Sequence, residues 1–285
     1  GTPPERFSDY AFRVFTVIPS RKGVRKAISR GAFTLDGVTA ETGMWVKPGQ
    51  VIELAEHDSD PRPDFRLRLD VVHEDDYLAL INKQAGVPVN GNAFKTVENA
   101  LRPNLAPSTA ADALRRPLPV HRLDSATSGL LIIAKTARAQ AGLGRLFEER
   151  RIAKRYRALL IGRLEGCGEI DTPIDGRSAS THYAALRHGP SLRSGWLTLV
   201  ECEPRTGRTH QIRRHFSQAG HPVLGDPLYG VPGLVLKSKG LFLCAVEVSF
   251  THPVTGETVR CRIEEPAKFS TFLERERRRW DKYQA

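Results

Sequence analysis

Beyond residue 66, most apolar residues fall in short runs that are typical of β-strands rather than of helices. The run 130–134 is continuous and rich in Leu and Ile, as expected for a strand that is buried on both faces. Because predicted strands and helices do not alternate regularly, the pattern favours an α+β fold with a mixed, mainly antiparallel sheet. Strands are predicted at 67–72, 78–81, 130–134, 156–161, 181–186, 197–201, 244–250 and 258–263, and helices at 137–150, 209–219 and 267–282.

The first 55 residues show a different pattern and are predicted to form a separate small module. Apolar residues at helical spacing predict a helix over 7–15, and Ser20 is a suitable N-cap for a second helix over 21–30 that Gly31 ends. Short strands follow at 33–35, 38–39 and 51–54, with turns at Asp36-Gly37 and Pro48-Gly49. The second helix carries a set of cationic residues: Arg21, Lys22, Arg25, Lys26 and Arg30.

Two segments lack apolar periodicity and are predicted to be irregular. Residues 56–67 contain two prolines and many polar residues, so they are predicted to link the module 1–55 to a larger domain, 68–285. Residues 103–117 are rich in Ala, Pro and Ser and are predicted to form a loose loop.

The composition indicates a globular protein with a polyanionic partner. Lys and Arg number 43 against 32 Asp and Glu, for a net charge of +11. Such a charge favours nucleic acid, although a cationic surface that binds nothing gives the same count. The four widely spaced cysteines form no zinc or disulfide pattern, and neither a membrane-length apolar run nor a secretory leader is present. We therefore expect a cytoplasmic protein without membrane association.

The segment 121–131, HRLDSATSGLL, places a single carboxylate, Asp124, just before the predicted strand 130–134. A carboxylate at the start of a buried strand has a fixed position, from which it could attack a substrate or abstract a proton. Taken alone, the same residues could form an ordinary turn, since Asp before Ser and Gly often caps one.

This segment resembles the signature of the RluA family of RNA pseudouridine synthases, and other motifs occur in the same order. Residues 73–83 followed by Ala85-Gly86-Val87-Pro88 resemble the family's first motif, and 96–101 its next short helix. Residues 154–158, KRYRA, resemble the tyrosine motif, and 205–213 with 220–230 resemble the long C-terminal signature. Together the motifs cover roughly residues 69 to 267. Gln84 and Asn90 stand where the family usually has proline and often histidine.

The resemblance implies an isomerase domain with a central cleft that converts uridine to pseudouridine in structured RNA. It implies that Asp124 is the catalytic carboxylate, that Arg213 pairs with it, and that Tyr156 stacks on the uracil or moves its C5 proton. Arg122 matches the residue that occupies the gap left by a flipped base. Each residue also has a simpler alternative. Arg213 could be a solvated helix residue, Tyr156 a half-buried strand residue, and Arg122 a plain phosphate contact. Further substrate contacts are expected at Thr127, Arg208, His210 and Gln211.

The module 1–55 resembles the alpha-L RNA-binding domain that often accompanies these synthases. Its basic helix is then expected to bind RNA phosphates; the alternative is a solvated face without a ligand. Ribosomal RNA is favoured over transfer RNA as the substrate, and a monomer is expected.

No cofactor or metal is expected, because the isomerisation adds no atom and transfers no electron. Phosphate-binding glycine loops and the H-E-x-x-H pattern are absent from the sequence. His210 and His215 lie five positions apart, which does not align them on one helical face for metal binding. Two other functions fit the sequence less well. A noncatalytic RNA-binding protein would not require Asp124, Tyr156 and Arg213 together, and a hydrolase would need a second catalytic carboxylate, which is not recognisable.

Overall fold

The computed structural model describes residues 4–15, 18, 20–54, 64–234 and 239–284. The chain divides into two compact units, Gly1–Arg62 and Pro63–Ala285. The division falls within the predicted linker 56–67, but residues 56–63 lie outside the described residues, so the linker stays a prediction.

The first unit contains two helices and two small sheets in its described residues. Strands β3-β2-β5 form one sheet, and β1 pairs with β4 in the other. The two predicted helices are confirmed, whereas the β1–β4 pair was not predicted because each strand has only two residues. In chain order the elements are β1 (Glu5–Arg6), α1 (Phe7–Val14), α2 (Arg21–Ser29), β2 (Phe33–Leu35), β3 (Val38–Thr39), β4 (Trp45–Val46) and β5 (Ile52–Leu54).

Helix α2 shows how the local sequence fixes an element of this unit. The Ser20 hydroxyl accepts a hydrogen bond from the Gly23 N–H at 3.0 Å and so caps the helix. Gly31 lies just beyond the helix with φ +70°, a conformation that favours glycine. Val24 and Ile28, four residues apart, are buried, and the five predicted cationic residues are all exposed on the other side.

The second unit is built on a sheet that, in the described residues, has ten strands. The main path runs β11-β12-β13-β10-β14-β9-β7-β6, while β8 pairs with β9 and β15 with β14. Its elements are β6 (Asp70–Glu74), β7 (Leu78–Lys83), α3 (Val97–Leu101), β8 (Ala113–Pro119), β9 (Ser128–Thr136), α4 (Ala137–Glu148), β10 (Ala153–Ile161), β11 (Cys167–Ile170), β12 (Thr181–Ser191), β13 (Gly195–Pro204), α5 (Gln211–Gln218), β14 (Leu243–Thr251), β15 (Thr258–Arg262) and α6 (Lys268–Gln284).

Strand β9 lies between β14 and β7 in the sheet and is buried on both faces. Leu131 and Ile133 belong to one core cluster with Phe216 of α5, while Leu130 and Ile132 belong to another with Leu143 of α4. Successive side chains of a strand point to opposite faces. The two clusters therefore explain why the apolar run here is continuous rather than alternating.

The sheet is mixed because β9 and β14 are parallel, while the other ladders of the described residues are antiparallel. Gly129 lies opposite Ala245 in the parallel pair and has φ +112°. A Cβ atom added there would lie 2.2 Å from the Ala245 carbonyl oxygen, so only glycine permits this close approach. The predicted α+β class with a mixed, mainly antiparallel sheet is confirmed.

The predicted loop over 103–117 is wrong at its C-terminal end, because β8 begins at Ala113. This strand pairs with β9 through Leu118 and Pro119, with an irregular register after Ala113. Proline has no backbone N–H to donate to a neighbouring strand, so a segment with two prolines is not predicted to be a strand. It becomes one here because it pairs with β9. Strand β11, four residues long and largely exposed, was also not predicted.

None of the helices in the described part of the chain is long and apolar enough to cross a membrane.

Candidate active site

Asp124 lies in the loop between β8 and β9, and backbone contacts hold this loop. The Thr127 N–H donates to the Asp124 carbonyl at 3.0 Å. The Lys83 ammonium, at the end of β7, donates to the carbonyls of Ser125 at 3.1 Å and Thr127 at 2.8 Å. Lys83 is fully buried, and burial lowers its pKa to about 8 although the Asp124 charge opposes this shift. Asp124 thus has a fixed backbone, with 22% of its side chain exposed.

Arg213 on helix α5 contacts the Asp124 carboxylate directly. Its Nη1 donates to Asp124 Oδ2 at 3.0 Å, and only 4% of the arginine side chain is exposed. A charge-assisted hydrogen bond of this kind is stronger than a neutral one and fixes the orientation of the carboxylate. The predicted pairing of these two residues is therefore present in the geometry.

Asp226 binds the other edge of the same guanidinium. Arg213 donates from Nε to Asp226 Oδ2 at 2.7 Å and from Nη2 to Asp226 Oδ1 at 2.8 Å. The N–H groups of Leu228 and Tyr229 also donate to Asp226 Oδ1. Burial alone would raise the pKa of Asp226, but these hydrogen bonds outweigh it and hold the pKa below its usual range.

His210 and Tyr229 complete a ring of polar contacts around Asp124. His210 Nε2 lies 3.7 Å from Asp124 Oδ1, and its Nδ1 lies 3.0 Å from the Tyr229 hydroxyl. The Arg213 guanidinium lies over the Tyr229 ring, 5.2 Å from its centroid. His210 is the N-cap of α5 and has φ +55°, an uncommon conformation for a non-glycine residue.

Tyr156 on β10 faces the cavity that contains Asp124. It is 9% exposed and packs in the same core cluster as Leu131 and Ile133. Burial raises the pKa of its phenol, and the neighbouring Cys202 and Asp124 act in the same direction. The hydroxyl therefore stays protonated at neutral pH.

The cavity has a volume of about 340 Å³ and is lined by every predicted catalytic and substrate-binding residue of this unit. Arg122 is exposed there, and its guanidinium has no hydrogen-bond or ion-pair partner among the described residues. Arg208 is half-buried and donates from Nε to the Ser178 carbonyl at 3.0 Å. The lining comprises Asp124, Tyr156, Arg213, Arg122, Thr127, Arg208, His210 and Gln211, together with Val120, His121, Leu123, Phe147, Lys154, Pro204, Thr206, Gly207, Thr209, Ile212 and Leu243.

Gln211 is buried, and protein atoms satisfy its amide. Its oxygen accepts from the Thr206 hydroxyl at 2.6 Å and the Arg208 N–H at 3.0 Å, and its nitrogen donates to Ser180 and Thr181. Both sides of the amide are then fully used. These bonds order the loop before α5. They leave the amide with no free donor or acceptor for the substrate contact that the sequence predicts.

Two further histidines, His121 and His215, have hydrogen-bond partners within the protein. His121 Nε2 accepts from the Ile132 N–H at 3.0 Å, and burial together with the Lys154 charge lowers its pKa to about 3. His215 is buried between the Thr181 hydroxyl and the Thr172 carbonyl. Within the described residues, no group of three or more His, Cys, Asp or Glu side chains is arranged to hold a metal ion.

In the first unit the predicted RNA-binding residues form an exposed basic surface on α2. Arg21 differs from the others because it pairs with Asp9 at 2.6 Å and lies over the Phe12 ring. It therefore also links α2 to α1. Lys22, Arg25, Lys26 and Arg30 have no ion-pair partner among the described residues.

Comparison with known proteins identifies the family. The family model for RNA pseudouridylate synthase matches residues 77–218, and a ribosomal large subunit pseudouridine synthase D from Xanthomonas campestris pv. campestris is 35% identical over 89% of this chain and 84% of its own length. The chain belongs to the RNA pseudouridylate synthase family. It is accordingly an isomerase that acts on RNA.

Other relatives of this synthase agree with the assignment. An uncharacterised RNA pseudouridine synthase from Aquifex aeolicus is 32% identical over 94% of the chain and 92% of its own length. The solved structure of human RNA pseudouridylate synthase domain containing 1 superposes with a TM-score of 0.59 at 28% identity, over 72% of this chain and 86% of that one.

Sequence reasoning assigned no role to three residues of the synthase site: Lys83, Asp226 and Tyr229. All three lie inside the motifs quoted above, and two are charged residues that the structure buries. A buried charge needs a partner, so a charged residue within an apolar stretch is the signal that could have identified Lys83 and Asp226. Tyr229 carries no such signal.

Proposed function

We propose that this synthase isomerises specific uridines in structured RNA, with ribosomal RNA favoured over transfer RNA. The reaction breaks the bond between C1′ and N1, turns the base and joins C1′ to C5. The proton on C5 is removed and N1 gains one, so the composition is unchanged. The observation that carries the proposal is the placement of Asp124 between Arg213 and His210 in the cavity that Tyr156 lines. A relative's printed name, ribosomal large subunit pseudouridine synthase D, supports the choice of RNA.

Asp124 is the proposed catalytic carboxylate. It can attack the sugar or the base as a nucleophile, or remove a proton at the ribose 2′ position, and each route needs an ionised carboxylate. The hydrogen bond from Arg213 orients this carboxylate in the cavity. The partial exposure of Asp124 leaves it accessible to a nucleotide in the cavity.

Tyr156 is proposed to stack on the uracil and, through its hydroxyl, to help move the C5 proton. Its ring is held by the core, which gives the base a rigid apolar surface. Its raised pKa keeps the hydroxyl protonated, so the phenol oxygen can take up the C5 proton only as it passes its own proton on in the same step.

Arg122 is proposed to fill the space that a flipped uridine leaves in the RNA. A base within a folded RNA cannot reach the half-buried Asp124 unless it leaves its stack. Arg122 is two residues from Asp124, exposed and free of ion pairs within the described structure, so its planar guanidinium is available to stack on neighbouring bases. Thr127, Arg208 and His210 complete the proposed substrate contacts.

The first unit is proposed to bind RNA through the exposed cations of α2. The proposal further includes action as a monomer in the cytoplasm without a cofactor.

The test is pseudouridine mapping of total RNA from cells with and without the gene, followed by reaction of the purified chain with the RNA identified. We expect specific ribosomal RNA uridines to lose the modification and the purified chain to restore it. Isomerisation leaves the RNA mass unchanged, whereas a hydrolase would release the base. A released base, or an unchanged map together with an inactive purified chain, would contradict the proposal.

A further inference from the structure

A second cavity, larger than the first, adjoins the candidate active site. Its volume is about 750 Å³. One wall is the end of helix α4 and the start of β10, and the other is the loop from Glu203 to Arg208. The two cavities share six lining residues, Phe147, Lys154, Pro204, Thr206, Gly207 and Arg208, so they lie side by side. We call the larger cavity the side groove.

Cationic side chains dominate the lining of the side groove. Arg150, Arg151, Lys154, Arg205 and Arg208 are opposed by Glu148 and Glu203. Arg151 pairs with Glu149 at 3.2 Å and Arg205 with Glu203 at 2.7 Å. Arg150, Lys154 and Arg208 have no ion-pair partner among the described residues, so their charges are available to an anion.

Arg150 occupies a position that normally favours glycine. Its N–H donates to the Phe147 carbonyl, and the Arg151 N–H donates to the Leu146 carbonyl, which is the Schellman ending of α4. Arg150 has φ +57° there. A non-glycine residue in this conformation costs roughly 1 kcal/mol, so the backbone gives no reason for an arginine at this site.

Lys154 joins the two cavities. Its ammonium lies 5.4 Å from the centroid of the Phe147 ring, and both side chains line both cavities. Burial lowers the pKa of Lys154, and a bound phosphate would favour its charged form. An aromatic ring beside cations is the combination that holds single-stranded nucleic acid, through stacking and backbone contacts.

We propose that the side groove binds the phosphodiester backbone of the single-stranded nucleotides that flank the target uridine. This inference rests on the proposed function, because a uridine that enters the Asp124 cavity must have neighbours that leave it. The shared lining places the side groove directly beside that cavity, where one of these neighbours can lie with Arg150 and Lys154 each contacting a phosphate.

The test compares two variants that each remove two positive charges. The groove variant is Arg150→Gly with Lys154→Gln; glycine suits φ +57°, so the backbone of α4 is not strained. The matched control is Arg277→Ala with Arg278→Ala on α6, where both residues are exposed and have no ion-pair partner among the described residues. Both are made in the full chain with Asp124→Asn, and the probe is fluorescein-labelled decauridylate, followed by anisotropy at several salt concentrations.

Each lost phosphate contact on a single strand reduces the slope of log affinity against log salt by about 0.7. We therefore expect the slope of the groove variant to fall by about 1.4 and its Kd at 0.1 M salt to rise roughly 25-fold. The Kd of the control variant should change by less than about twofold. Arg150→Lys, which keeps the positive charge, should retain most of the affinity. Thermal unfolding of each variant shows whether it is folded.

Equal slopes for the groove and control variants would overturn the inference, because the effect would then be one of net charge alone. This outcome is separate from the proposed function, since binding of decauridylate requires no turnover. If the chain with Asp124 intact formed no pseudouridine, the proposed function would fail while the binding comparison kept its meaning.

Discussion

Asp124 and Asp226 bind opposite edges of one guanidinium, that of Arg213. The contact to Asp124 is a single hydrogen bond of 3.0 Å, whereas Asp226 accepts two, at 2.7 and 2.8 Å. The side chain of Asp226 is fully buried and that of Asp124 is 22% exposed. Asp226 therefore holds the arginine, and the arginine in turn orients the proposed catalytic carboxylate.

Asp226→Asn should lower the rate at saturating RNA by roughly 10- to 100-fold with little change in KM, because a small displacement of a positioned group costs this much. Loss of one partner from a buried pair should also reduce the free energy of unfolding by about 3 kcal/mol. Single-turnover kinetics and denaturant unfolding measure the two effects.

The matched control is Asp175→Asn, because Asp175 also forms a bidentate pair, with Arg214, but is 70% exposed. Because solvent screens this exposed pair, its loss should leave both the free energy of unfolding and the rate nearly unchanged. Equal effects of the two substitutions would show that Asp226 does not position the site.

Asp124→Asn should abolish pseudouridine formation, with a loss on the order of 10³-fold or more, because it removes the reacting group. Unfolding should change by no more than about 1 kcal/mol, since Arg213 keeps its bidentate partner. RNA affinity should also be retained. Rates near those of the unmodified chain would remove Asp124 from the mechanism.

Tyr156→Phe keeps the ring and loses the hydroxyl, so it separates stacking from proton transfer. We expect the single-turnover rate to fall about 100-fold, the scale of general acid–base catalysis. Because burial raises the pKa of this phenol, the pH–rate profile of the unmodified chain should show no alkaline decline from Tyr156 between pH 7 and 10. A change of less than about threefold would leave Tyr156 only a packing role.

Lys83→Met tests the buried ammonium that binds the loop of Asp124. The Thr127 carbonyl would lose the ammonium that donates to it, and the Ser125 carbonyl would keep only the Gly86 N–H, which should reduce stability by about 2 kcal/mol and lower the rate by loosening the loop. A rate equal to that of the unmodified chain would show that Lys83 does not position Asp124.

The same lysine predicts a pH dependence of stability. Its pKa is about 8 in the folded chain and near 10.4 in an unfolded one, so the unfolded state binds more protons between these values. The contribution of Lys83 to the free energy of unfolding should therefore rise with pH from about 8 to 10.5. Below pH 8 the ammonium is charged in both states, so the full destabilisation from burying its charge is present. Denaturant titrations across this range should show a smaller rise for Lys83→Met.

Lys22→Ala, Arg25→Ala and Lys26→Ala together remove three exposed cations of α2 without touching the buried Val24 and Ile28. If these side chains bind phosphates of structured RNA, the slope of log affinity against log salt should fall by roughly 3 and the apparent KM should rise. The single-turnover rate at saturating RNA should stay unchanged. Lys47→Ala, an exposed lysine of the same unit outside α2, is the control. An unchanged slope would mean that α2 is only a solvated surface.

The sequence by itself determined the elements whose signals are local. The Ser20 cap and Gly31 bound helix α2, the Thr96 hydroxyl accepts from the Asn99 N–H at the start of α3, and the apolar run of β9 predicts a strand buried on both faces. These signals act over a few residues, so they can be recognised in the sequence without knowledge of the fold. The order of the motifs also indicated the family, and with it the pairing of Asp124 with Arg213.

The tertiary structure decided what depends on residues far apart in the chain. Lys83 contacts the carbonyl of Thr127, 44 residues away, and β8 is a strand only because β9 lies beside it. That Asp226 pairs with Arg213, the same arginine that contacts Asp124, is visible only in the folded structure. A buried charge must find a partner, but periodicity and caps do not say which one, because that choice is made when the sheet brings distant loops together.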